Sequence, residues 1–215
     1  MIVTIDGPAG AGKSSVAREL ARRLGFVFLD TGAMYRAVAL AAHERGHDWE
    51  NEEGLAELAG GLEIIWGDNH LLLNGRDVTQ EIRTSAITAL TRYSANNAGV
   101  RAVLVQSQRD FAEGRDVVTE GRDQGTVVFP DAECKIFLTA SPEERARRRA
   151  IDLARRGEAK TVAEVLADQN RRDDGDTRRA VGPLIRAADA VEVLTDGMEL
   201  SQVTDRLEAL VRSRM

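Results

Sequence analysis

The feature that constrains this chain most is the spacing of glycines directly after its first apolar run. Met1 to Ile5 is short, apolar and β-branched, as a buried parallel strand is, and GPAGAGKS follows from Gly7 to Ser14. Two glycines five residues apart, followed by lysine and a hydroxyl residue, are typical of a loop that wraps phosphate groups. Apolar residues then recur every four positions from Val16 to Leu24. We therefore predict a strand, a phosphate-binding loop and a helix in succession.

Physical chemistry explains why the loop needs these residue types. Glycines allow backbone N–H groups to converge on phosphate oxygens, and the following helix directs the positive end of its dipole at the anion. Lys13 would bridge the β- and γ-phosphates of ATP, and the Ser14 hydroxyl would ligate Mg²⁺. The predicted ATP-binding residues are the loop and the first turn of its helix: Gly7, Pro8, Ala9, Gly10, Ala11, Gly12, Lys13, Ser14 and Ser15.

The rest of the chain alternates between strand and helix patterns, with one interruption. A strand over Phe26 to Leu29 and a helix from about Ala33 to Glu44 complete a βαβ-like unit with parallel strands. Short strands separated by turns at Gly67-Asp68-Asn69 and Asn74-Gly75, the last near Val78, instead predict a small antiparallel insertion. Further strands are predicted at 117–119, 135–138 and 190–194, with helical segments at 85–112, 142–156, 161–172 and 199–211. The expected class is α/β, with three layers around a parallel central sheet.

Length and composition limit the classes of protein to which this chain can belong. Its 215 residues suffice for one core with small insertions but not for two large domains. The formal net charge of −6 argues against a general binder of nucleic acid or of anionic membranes. No apolar run approaches the ~20 residues of a membrane helix, and Cys134, the single cysteine, excludes an internal disulfide. We expect a monomeric cytoplasmic protein that binds neither nucleic acid nor membranes.

Charged residues follow two of the predicted strands, where parallel-sheet proteins bind their ligands. Asp30, Thr31 and Arg36 follow the second strand, and the run from Glu120 to Asp123 follows a later one. The phosphate-binding loop is shared by several classes of protein, so these residues are the candidates for binding a second substrate.

Two arginine-rich segments lie further along the chain, at Arg145 to Arg149 and at Arg172 to Arg179. A solvated helix face gives the same pattern, and Glu143, Glu144 and Asp152 could neutralise the first group at helical spacing. A phosphoryl group in transfer, however, needs several guanidinium groups around its spreading charge. The phosphate-binding loop therefore favours a functional interpretation of these arginines.

Together these motifs resemble those of the bacterial cytidylate kinases, over essentially the whole chain. The resemblance is carried by DGPAGAGKSS from Asp6, LDTGAMYR from Leu29, EGRDQGTVVFPD from Glu120, the Arg145 to Arg149 helix and RDDGDTRRAVGPL from Arg172. It implies transfer of the γ-phosphoryl group of ATP, with Mg²⁺, to CMP or dCMP. It also implies a single kinase domain of the P-loop NTPase fold. The core would comprise residues 1–48, 85–144 and 180–215, with a nucleoside-monophosphate-binding insertion at about 49–84 and a helical lid at about 145–179.

The resemblance further implies roles in phosphoryl transfer and metal binding. Lys13, Arg148 and Arg149 would be the catalytic residues, the two arginines contacting the phosphates of ATP from the lid. The metal would be ligated by Ser14 and oriented by Asp30 through a water molecule.

For the acceptor, the resemblance implies a set of CMP-binding residues: Thr31, Arg36, Arg101, Arg122, Asp123, Arg172, Asp176 and Arg179. Arg36 and Arg122 would hold the acceptor phosphate with help from Arg179. Arg101 and Asp123 would read the cytosine edge, and the Arg172 and Asp176 side chains would bind the ribose. Either Thr91 or Ser94 could supply a hydroxyl contact to the base.

Two other functions keep the same phosphate-binding loop. One is a P-loop kinase for another small acceptor, such as UMP, AMP, dTMP or shikimate, which would change the acceptor contacts; Arg101 with Asp123 favours cytosine instead. The other is a switch protein that binds GTP. Such switches usually carry an Asn-Lys-x-Asp string, and the sequence contains none.

Overall fold

The structure, a computed structural model, describes residues 1–67, 70–155 and 157–215. The chain divides into two compact units: Met1–Phe28 with Asp116–Met215 form the first, and Leu29–Arg115 form the second. Two details predicted from the sequence, the turn residues Asp68 and Asn69 and the helix end at Arg156, lie outside the described residues.

The elements alternate along the chain as the sequence predicts. They are β1 (Ile2–Asp6), α1 (Lys13–Leu24), β2 (Val27–Asp30), α2 (Thr31–Glu44), α3 (Glu52–Gly60), β3 (Ile64–Trp66), β4 (Leu71–Leu73), β5 (Arg76–Asp77), a 3₁₀ turn (Glu81–Arg83), α4 (Ser85–Asn96), α5 (Ala98–Ala112), β6 (Val117–Gly121), a π-helical turn (Gln124–Val128), β7 (Cys134–Thr139), α6 (Pro142–Arg155), α7 (Val162–Arg178), β8 (Val191–Leu194) and α8 (Leu200–Arg212).

A five-stranded parallel sheet in the order β2-β6-β1-β7-β8 forms the centre of the fold. The middle strand, β1, pairs in parallel with β6 and with β7, so that Thr4 lies opposite both Thr119 and Lys135. Its apolar residues Val3 and Ile5 are fully buried. Near-continuous burial of this kind is typical of parallel strands covered on both faces by helices. The predicted α/β class is confirmed, and the carboxyl ends of β1, β6 and β7 lie at one edge of the sheet.

Helix α1 ends where the sequence predicts, at a glycine in the left-handed region. Gly25 has φ +72° and donates its N–H to the Ala21 carbonyl, which Phe26 N–H also reaches at 2.9 Å. These bonds satisfy carbonyl groups that a helix end would otherwise leave open. The apolar face of α8 packs on α1 within the first unit, with Leu207 fully buried.

The second unit contains the predicted antiparallel insertion. Strands β3, β4 and β5 form a three-stranded sheet, and Leu73 pairs with Arg76 across a two-residue turn. Asn74 at φ +50° and Gly75 at φ +79° make this turn, as Asn-Gly pairs do in tight hairpins. The hydrophobic core of the unit then gathers residues of α2, of β4, of the segment between the sheet and α4, and of α4 itself: Ala33, Ala37, Ala39, Leu40, Ala41, Leu71, Leu73, Val78, Ile82 and Ile87.

The helical spacing predicted over 85–112 is broken once, at Asn97. Its side-chain oxygen accepts the Val100 N–H at 2.9 Å, which caps α5, and its amide donates to the Glu52 carbonyl at 2.8 Å. Asparagine favours this position because its side chain replaces the missing helical acceptor. The segment is therefore two helices, α4 and α5.

The charged segment near the carboxyl end forms a pair of helices, α6 and α7, around a small apolar cluster of Ala146, Leu153 and Val165. Helix α7 begins with a capping box, in which Thr161 and Glu164 each accept from the other's backbone N–H. The helix runs to Arg178, six residues beyond the predicted end at Arg172. Within the described ranges, no helix has the length and apolar character needed to span a membrane.

Candidate active site

The predicted ATP-binding residues form the loop between β1 and α1 and the first turn of α1. Gly7 has φ +150°, and a Cβ there would lie 2.0 Å from the carbonyl oxygen of Leu138 on β7. Only glycine allows the loop backbone and the β7 backbone to approach so closely. Gly12, at φ +89°, turns the chain into the helix that begins at Lys13.

Lys13 is buried in this loop, with 5% of its surface exposed. Its ammonium group donates to the Pro8 carbonyl at 2.9 Å. Burial first, and then the Arg122 guanidinium, lower the pKa of Lys13 from 10.5 to about 7. The loop therefore holds a cation whose charge a bound phosphate would stabilise.

Two carboxylates flank the loop at the ends of neighbouring strands. Ser14 donates its hydroxyl to Glu120 of β6 at 2.6 Å, and Glu120 is 6% exposed. Asp6, the last residue of β1, accepts the backbone N–H groups of Gln124 and Gly125 at 2.9 and 2.8 Å. Burial raises the pKa of Asp6 to about 6, although both backbone hydrogen bonds lower it. Asp6 thereby joins the strand before the loop to the turn after β6.

Four of the predicted CMP-binding residues come together in the first unit. Arg122 donates Nε to Asp176 Oδ2 at 2.7 Å. Arg179 lies 3.6 Å from Asp123 Oδ1 and 3.9 Å from Asp176 Oδ1. The side chains of Arg179 and Asp123 are each 5% exposed. The sequence assigned each of these groups to the substrate, whereas here they neutralise one another; we call these four residues the charge cluster.

Electrostatics within the charge cluster follow from these pairings. Burial raises the pKa of Asp176, but the Arg122 guanidinium, with Arg172 and Arg179, lowers it by more in total, so the pKa of Asp176 lies below its ordinary value. Arg172, also predicted to bind CMP, is exposed on α7 and acts electrostatically on Asp176 and Lys13. The cluster thus holds two guanidinium groups that are paired with carboxylates, and an anion would have to replace those carboxylates.

The other predicted acceptor residues lie in the second unit. Thr31 is buried at the first turn of α2, which Asp30 caps by accepting the Ala33 N–H at 2.9 Å. The Asp30 carboxylate also pairs with Arg36 at 3.4 Å and with Arg83 at 3.0 Å.

Arg101 is buried in α5, with its guanidinium carbon 5.7 Å from the centre of the Tyr35 ring. The two hydroxyl groups that were alternatives for a base contact both donate to backbone carbonyls. Ser94 reaches the Tyr35 and Thr91 carbonyls at 2.9 Å, and Thr91 reaches the Ile87 carbonyl at 2.9 Å.

The predicted lid arginines differ from one another in their surroundings. Arg148 donates to Glu144 at 2.8 Å and to the hydroxyl and carbonyl oxygens of Thr195 at 3.0 and 2.6 Å. Arg149 is half-buried on the same helix. Arg145, which the sequence grouped with the functional arginines but gave no individual role, reaches the phosphate-binding loop, where it donates to the Ala9 carbonyl at 2.8 Å.

Sequence reasoning missed the contacts of Asp6, Glu120, Arg145 and Asp173. The one available signal was position, because Asp6 is the last residue of the buried strand β1 and Glu120 is the penultimate residue of β6. Arg145 and Asp173 carried no such signal, since their contacts join residues that are 28 to 164 positions apart in the chain. In residues 1–67, 70–155 and 157–215 we find no group of three or more His, Cys, Asp or Glu side chains that could hold a metal ion.

Solved structures with similar folds support the architecture alone. An uncharacterised protein from Eubacterium ventriosum matches with a TM-score of 0.56 at 12% identity, covering 100% of this chain and 99% of that chain. A gluconokinase from Sinorhizobium meliloti matches with a TM-score of 0.50 at 17% identity, covering 99% of this chain and 92% of that chain.

Sequence comparison is more specific. The cytidylate kinase family model matches residues 3–213. A cytidylate kinase from Rhodopirellula baltica is 54% identical over 212 residues, covering 99% of this chain and 93% of the relative. One from Geobacter sulfurreducens is 48% identical over 218 residues, covering 100% of this chain and 94% of the relative. With matches of this extent, the chain belongs to the cytidylate kinase family.

Proposed function

We propose that this protein transfers the γ-phosphoryl group of ATP to CMP and dCMP, giving ADP with CDP or dCDP. Family membership supports the reaction class and the acceptor. The observation that carries the proposal is the charge cluster in the same unit as the phosphate-binding loop. A phosphate loop alone is common to many proteins, whereas guanidinium groups paired with carboxylates suit an acceptor that brings both an anion and hydrogen-bond donors.

The chain's own residues would act by positioning and by neutralising charge. An oxygen of the acceptor phosphate attacks the γ-phosphorus, and the bond from that phosphorus to the bridging oxygen of ADP breaks. No side-chain nucleophile is required for this transfer. Lys13 and the loop N–H groups would hold the donor phosphates, and Arg122 and Arg179 would exchange their carboxylate partners for the acceptor phosphate.

The lid residues would complete the neutralisation of charge during transfer. We assign Arg148 and Arg149 to the phosphates of ATP on the basis of family resemblance. For Arg148 this role requires that its bonds to Glu144 and Thr195 be exchanged when nucleotide binds. Glu144 is partly exposed at the start of α6, so the exchange breaks a pair that solvent already weakens.

A magnesium ion fits the donor set beside the loop. The Ser14 hydroxyl and the Glu120 carboxylate lie 2.6 Å apart, and hydroxyl and carboxylate oxygens are ligands that Mg²⁺ accepts, usually together with water and phosphate oxygens. Bound there with ATP, the ion would neutralise developing negative charge on the phosphates. The water-mediated role of Asp30 stays a prediction, and its carboxylate is already engaged by the Ala33 N–H and by Arg36 and Arg83.

Base and ribose recognition complete the proposal. Asp123 would accept from the cytosine amino group while Arg101 donates to the ring's acceptor atoms, and Arg172 with Asp176 would bind the ribose. Arg36 would hold the acceptor phosphate, and Thr31 would be a further CMP-binding residue. We further propose that the protein acts as a cytoplasmic monomer on these small nucleotides, without nucleic acid or membrane as a partner.

A coupled assay of ADP formation tests the reaction and its acceptor together. Purified protein is given ATP and Mg²⁺ with CMP, dCMP, UMP, AMP, dTMP or shikimate in separate reactions. We expect CMP and dCMP to give the highest kcat/KM. Faster turnover of another acceptor would replace the proposed substrate, and GTP binding without phosphoryl transfer to any acceptor would indicate a switch.

A further inference from the structure

Ala9, in the middle of the phosphate-binding loop, is bonded at both its N–H and its carbonyl by a single ion pair. Its N–H donates to Asp173 Oδ1 at 3.1 Å, and its carbonyl accepts from Arg145 Nη1 at 2.8 Å. The same Arg145 nitrogen lies 2.5 Å from Asp173 Oδ2. Arg145 belongs to α6 and Asp173 to α7, so two helices hold one residue of the loop. We call this arrangement the Ala9 grip.

The burial of Arg145 shows that the grip is not an incidental surface pair. Its side chain is 6% exposed, and its Nε also donates to the Ala140 carbonyl at 3.1 Å. A buried guanidinium is tolerated only when its donors are satisfied, and its planar fork fixes the direction of each bond. Arg147, two residues further along α6 and largely exposed, pairs only with Glu144 across the helix surface among the contacts described.

Gly10, the next residue of the loop, gives independent support for close packing of these helices on it. Gly10 is in a position that the glycine-lysine pattern leaves variable, yet a Cβ there would lie 2.4 Å from Gln169 Nε2 and 3.3 Å from Arg145 Cβ. Gln169, on α7, in turn donates to the Arg145 carbonyl at 3.3 Å. The contact from α7 through α6 to the loop is therefore continuous at both Ala9 and Gly10.

We propose that Arg145 and Asp173 are positioning residues for the triphosphate of ATP, acting through the backbone of Ala9. By fixing the peptide groups on both sides of Ala9, they keep the loop N–H groups directed at the anion before it binds. Donors that are already oriented need not be ordered during binding, which strengthens it. This inference rests on the proposed function of the loop as the ATP site, but it concerns residues that lie outside the loop.

The test compares two neighbouring carboxylates on α7 in the full-length protein. Asp173→Ala removes the grip, and Asp174→Ala removes the same charge from an exposed position one residue further along. The dissociation constant of ATP is measured by titration calorimetry, and KM for ATP and for CMP by the coupled assay. We expect Asp173→Ala to weaken ATP binding about tenfold or more, the scale of losing a charged hydrogen bond and the order that it imposes. The KM for CMP and the properties of Asp174→Ala should change by less than about twofold.

Two further variants keep the test decisive if Asp173→Ala unfolds. Asp173→Asn retains an oxygen for the Ala9 N–H but loses the ion pair, so its ATP affinity should lie between those of the wild type and a fully disrupted loop. Arg145→Lys retains the charge. Arginine reaches the Ala140 carbonyl through Nε and the Ala9 and Asp173 oxygens through Nη1, and the single nitrogen of lysine cannot occupy both positions. In the double variant with Asp173→Asn, the loss should be smaller than the sum of the single losses, because both residues act on one peptide segment.

The opposite result has a clear physical meaning. A carboxylate that occupies the Ala9 N–H could compete with a phosphate oxygen for it, and removal of Asp173 would then tighten ATP binding. Tighter or unchanged binding in the Asp173 variants overturns the inference, and so does an equal loss in Asp174→Ala. If the wild type failed to phosphorylate CMP, the proposed acceptor would be wrong, whereas the ATP titrations would still decide the role of the grip.

Discussion

Lys13 lies in a site where burial and the Arg122 guanidinium both oppose the positive charge of its amine. Its only neighbouring hydrogen bond among the described contacts is to the uncharged Pro8 carbonyl. Phosphate oxygens would reverse this balance, because an anion within a few ångströms favours the protonated amine. At the scale of one residue, nucleotide binding and protonation are therefore coupled.

This coupling predicts proton uptake when ATP binds. With a pKa of about 7, Lys13 is mostly neutral at pH 8 in the free protein, and a bound triphosphate raises the pKa again. We expect Lys13 to take up close to one proton per ATP at pH 8 and little at pH 6, where it is already charged. Calorimetry in buffers of different ionisation enthalpy measures the uptake, and subtraction of the Lys13→Met values removes protons exchanged by ATP itself. Equal uptake by both proteins at pH 8 would contradict the prediction.

Lys13→Ala should also abolish most phosphoryl transfer while the fold is retained. The expected fall in kcat is at least about a hundredfold, the scale of removing one preorganised electrostatic contact. Lys160→Ala is the control, because Lys160 is an exposed lysine paired with Asp168 at 2.9 Å. Circular dichroism establishes folding and the coupled assay gives kcat. A folded Lys13→Ala protein with near-normal kcat would be inconsistent with the role of the loop.

Asp123 should decide between cytosine and uracil. Cytosine presents an amino group where uracil presents a carbonyl, so an ionised Asp123 would face a lone pair of UMP and lose its partner in a buried site. We expect a wild-type kcat/KM for CMP about a hundredfold or more above that for UMP. Asp123→Ala should reduce this ratio, chiefly by losing activity on CMP.

The control for Asp123 comes from the same cluster. Asp176→Ala also removes a carboxylate from Arg179, but its proposed ribose contact is common to CMP and UMP. It should therefore lower both activities and leave their ratio nearly unchanged. If Asp123→Ala behaved in the same way, the carboxylate of Asp123 would not read the base.

At the scale of elements, the packing of α7 on the loop involves Gly10 of the loop but not Gly175 of α7, which gives a matched pair of substitutions. Gly10→Ala should destabilise the protein by about 1 to 3 kcal/mol, because its φ is +79° and the new methyl group would meet Gln169. Gly175→Ala, on α7 itself, places a methyl group in open space and should stabilise by about 0.5 to 1 kcal/mol. Chemical denaturation measures both. Equal effects would show that α7 does not pack on the loop in solution.

Element boundaries could be predicted because the signals are local. Gly25 ends α1, the Asn74-Gly75 turn joins β4 to β5, and Thr161 with Glu164 begins α7. The break between α4 and α5 was missed because apolar spacing continues across it, although Asn97 is itself a local capping signal.

At the scale of the whole molecule, two buried charges make stability depend on pH. The pKa of Lys13 is lower in the folded protein than its ordinary 10.5, so unfolded chains bind more protons between pH 7 and 10.5 and stability rises across that range. The pKa of Asp6 is raised from 3.8 to about 6, so its contribution to stability falls as pH rises from about 4 to 6. Near neutral pH, the charged forms of both buried groups therefore lower the free energy of unfolding.

Lys13→Met isolates the larger of these effects. The variant should have a free energy of unfolding above that of the wild type at pH 6.5, by an amount on the order of 3 kcal/mol. Most of this difference should vanish by pH 10, where the folded wild type holds a neutral amine. Urea denaturation at several pH values measures it, with Lys160→Met as a control whose difference from the wild type should stay nearly constant between pH 6.5 and 9. A difference for Lys13→Met that did not depend on pH would show that Lys13 is not buried as a cation.

The family, the fold class and the residues of the phosphate loop could all be predicted from sequence, and the comparisons and the structure confirm the family and the fold. The pairing of charged residues could not. Arg122 and Asp176 are 54 positions apart, and Ala9 and Asp173 are 164 apart, so no local pattern relates them. Sequence reasoning identified most of these charged residues and assigned them to ligands, because it had no means of showing that they pair with each other.

The charge cluster has a consequence for what can enter the acceptor site. Its two guanidinium groups and two carboxylates sum to zero, so a free phosphate ion would gain Arg122 and Arg179 only by taking these guanidinium groups away from Asp123 and Asp176. A nucleotide replaces the partners on both sides, since its phosphate pairs with the arginines while its amino and hydroxyl groups donate to the carboxylates. The charge cluster therefore selects molecules that carry an anion together with separate hydrogen-bond donors, and it discriminates against inorganic phosphate, which has no amino or sugar hydroxyl group.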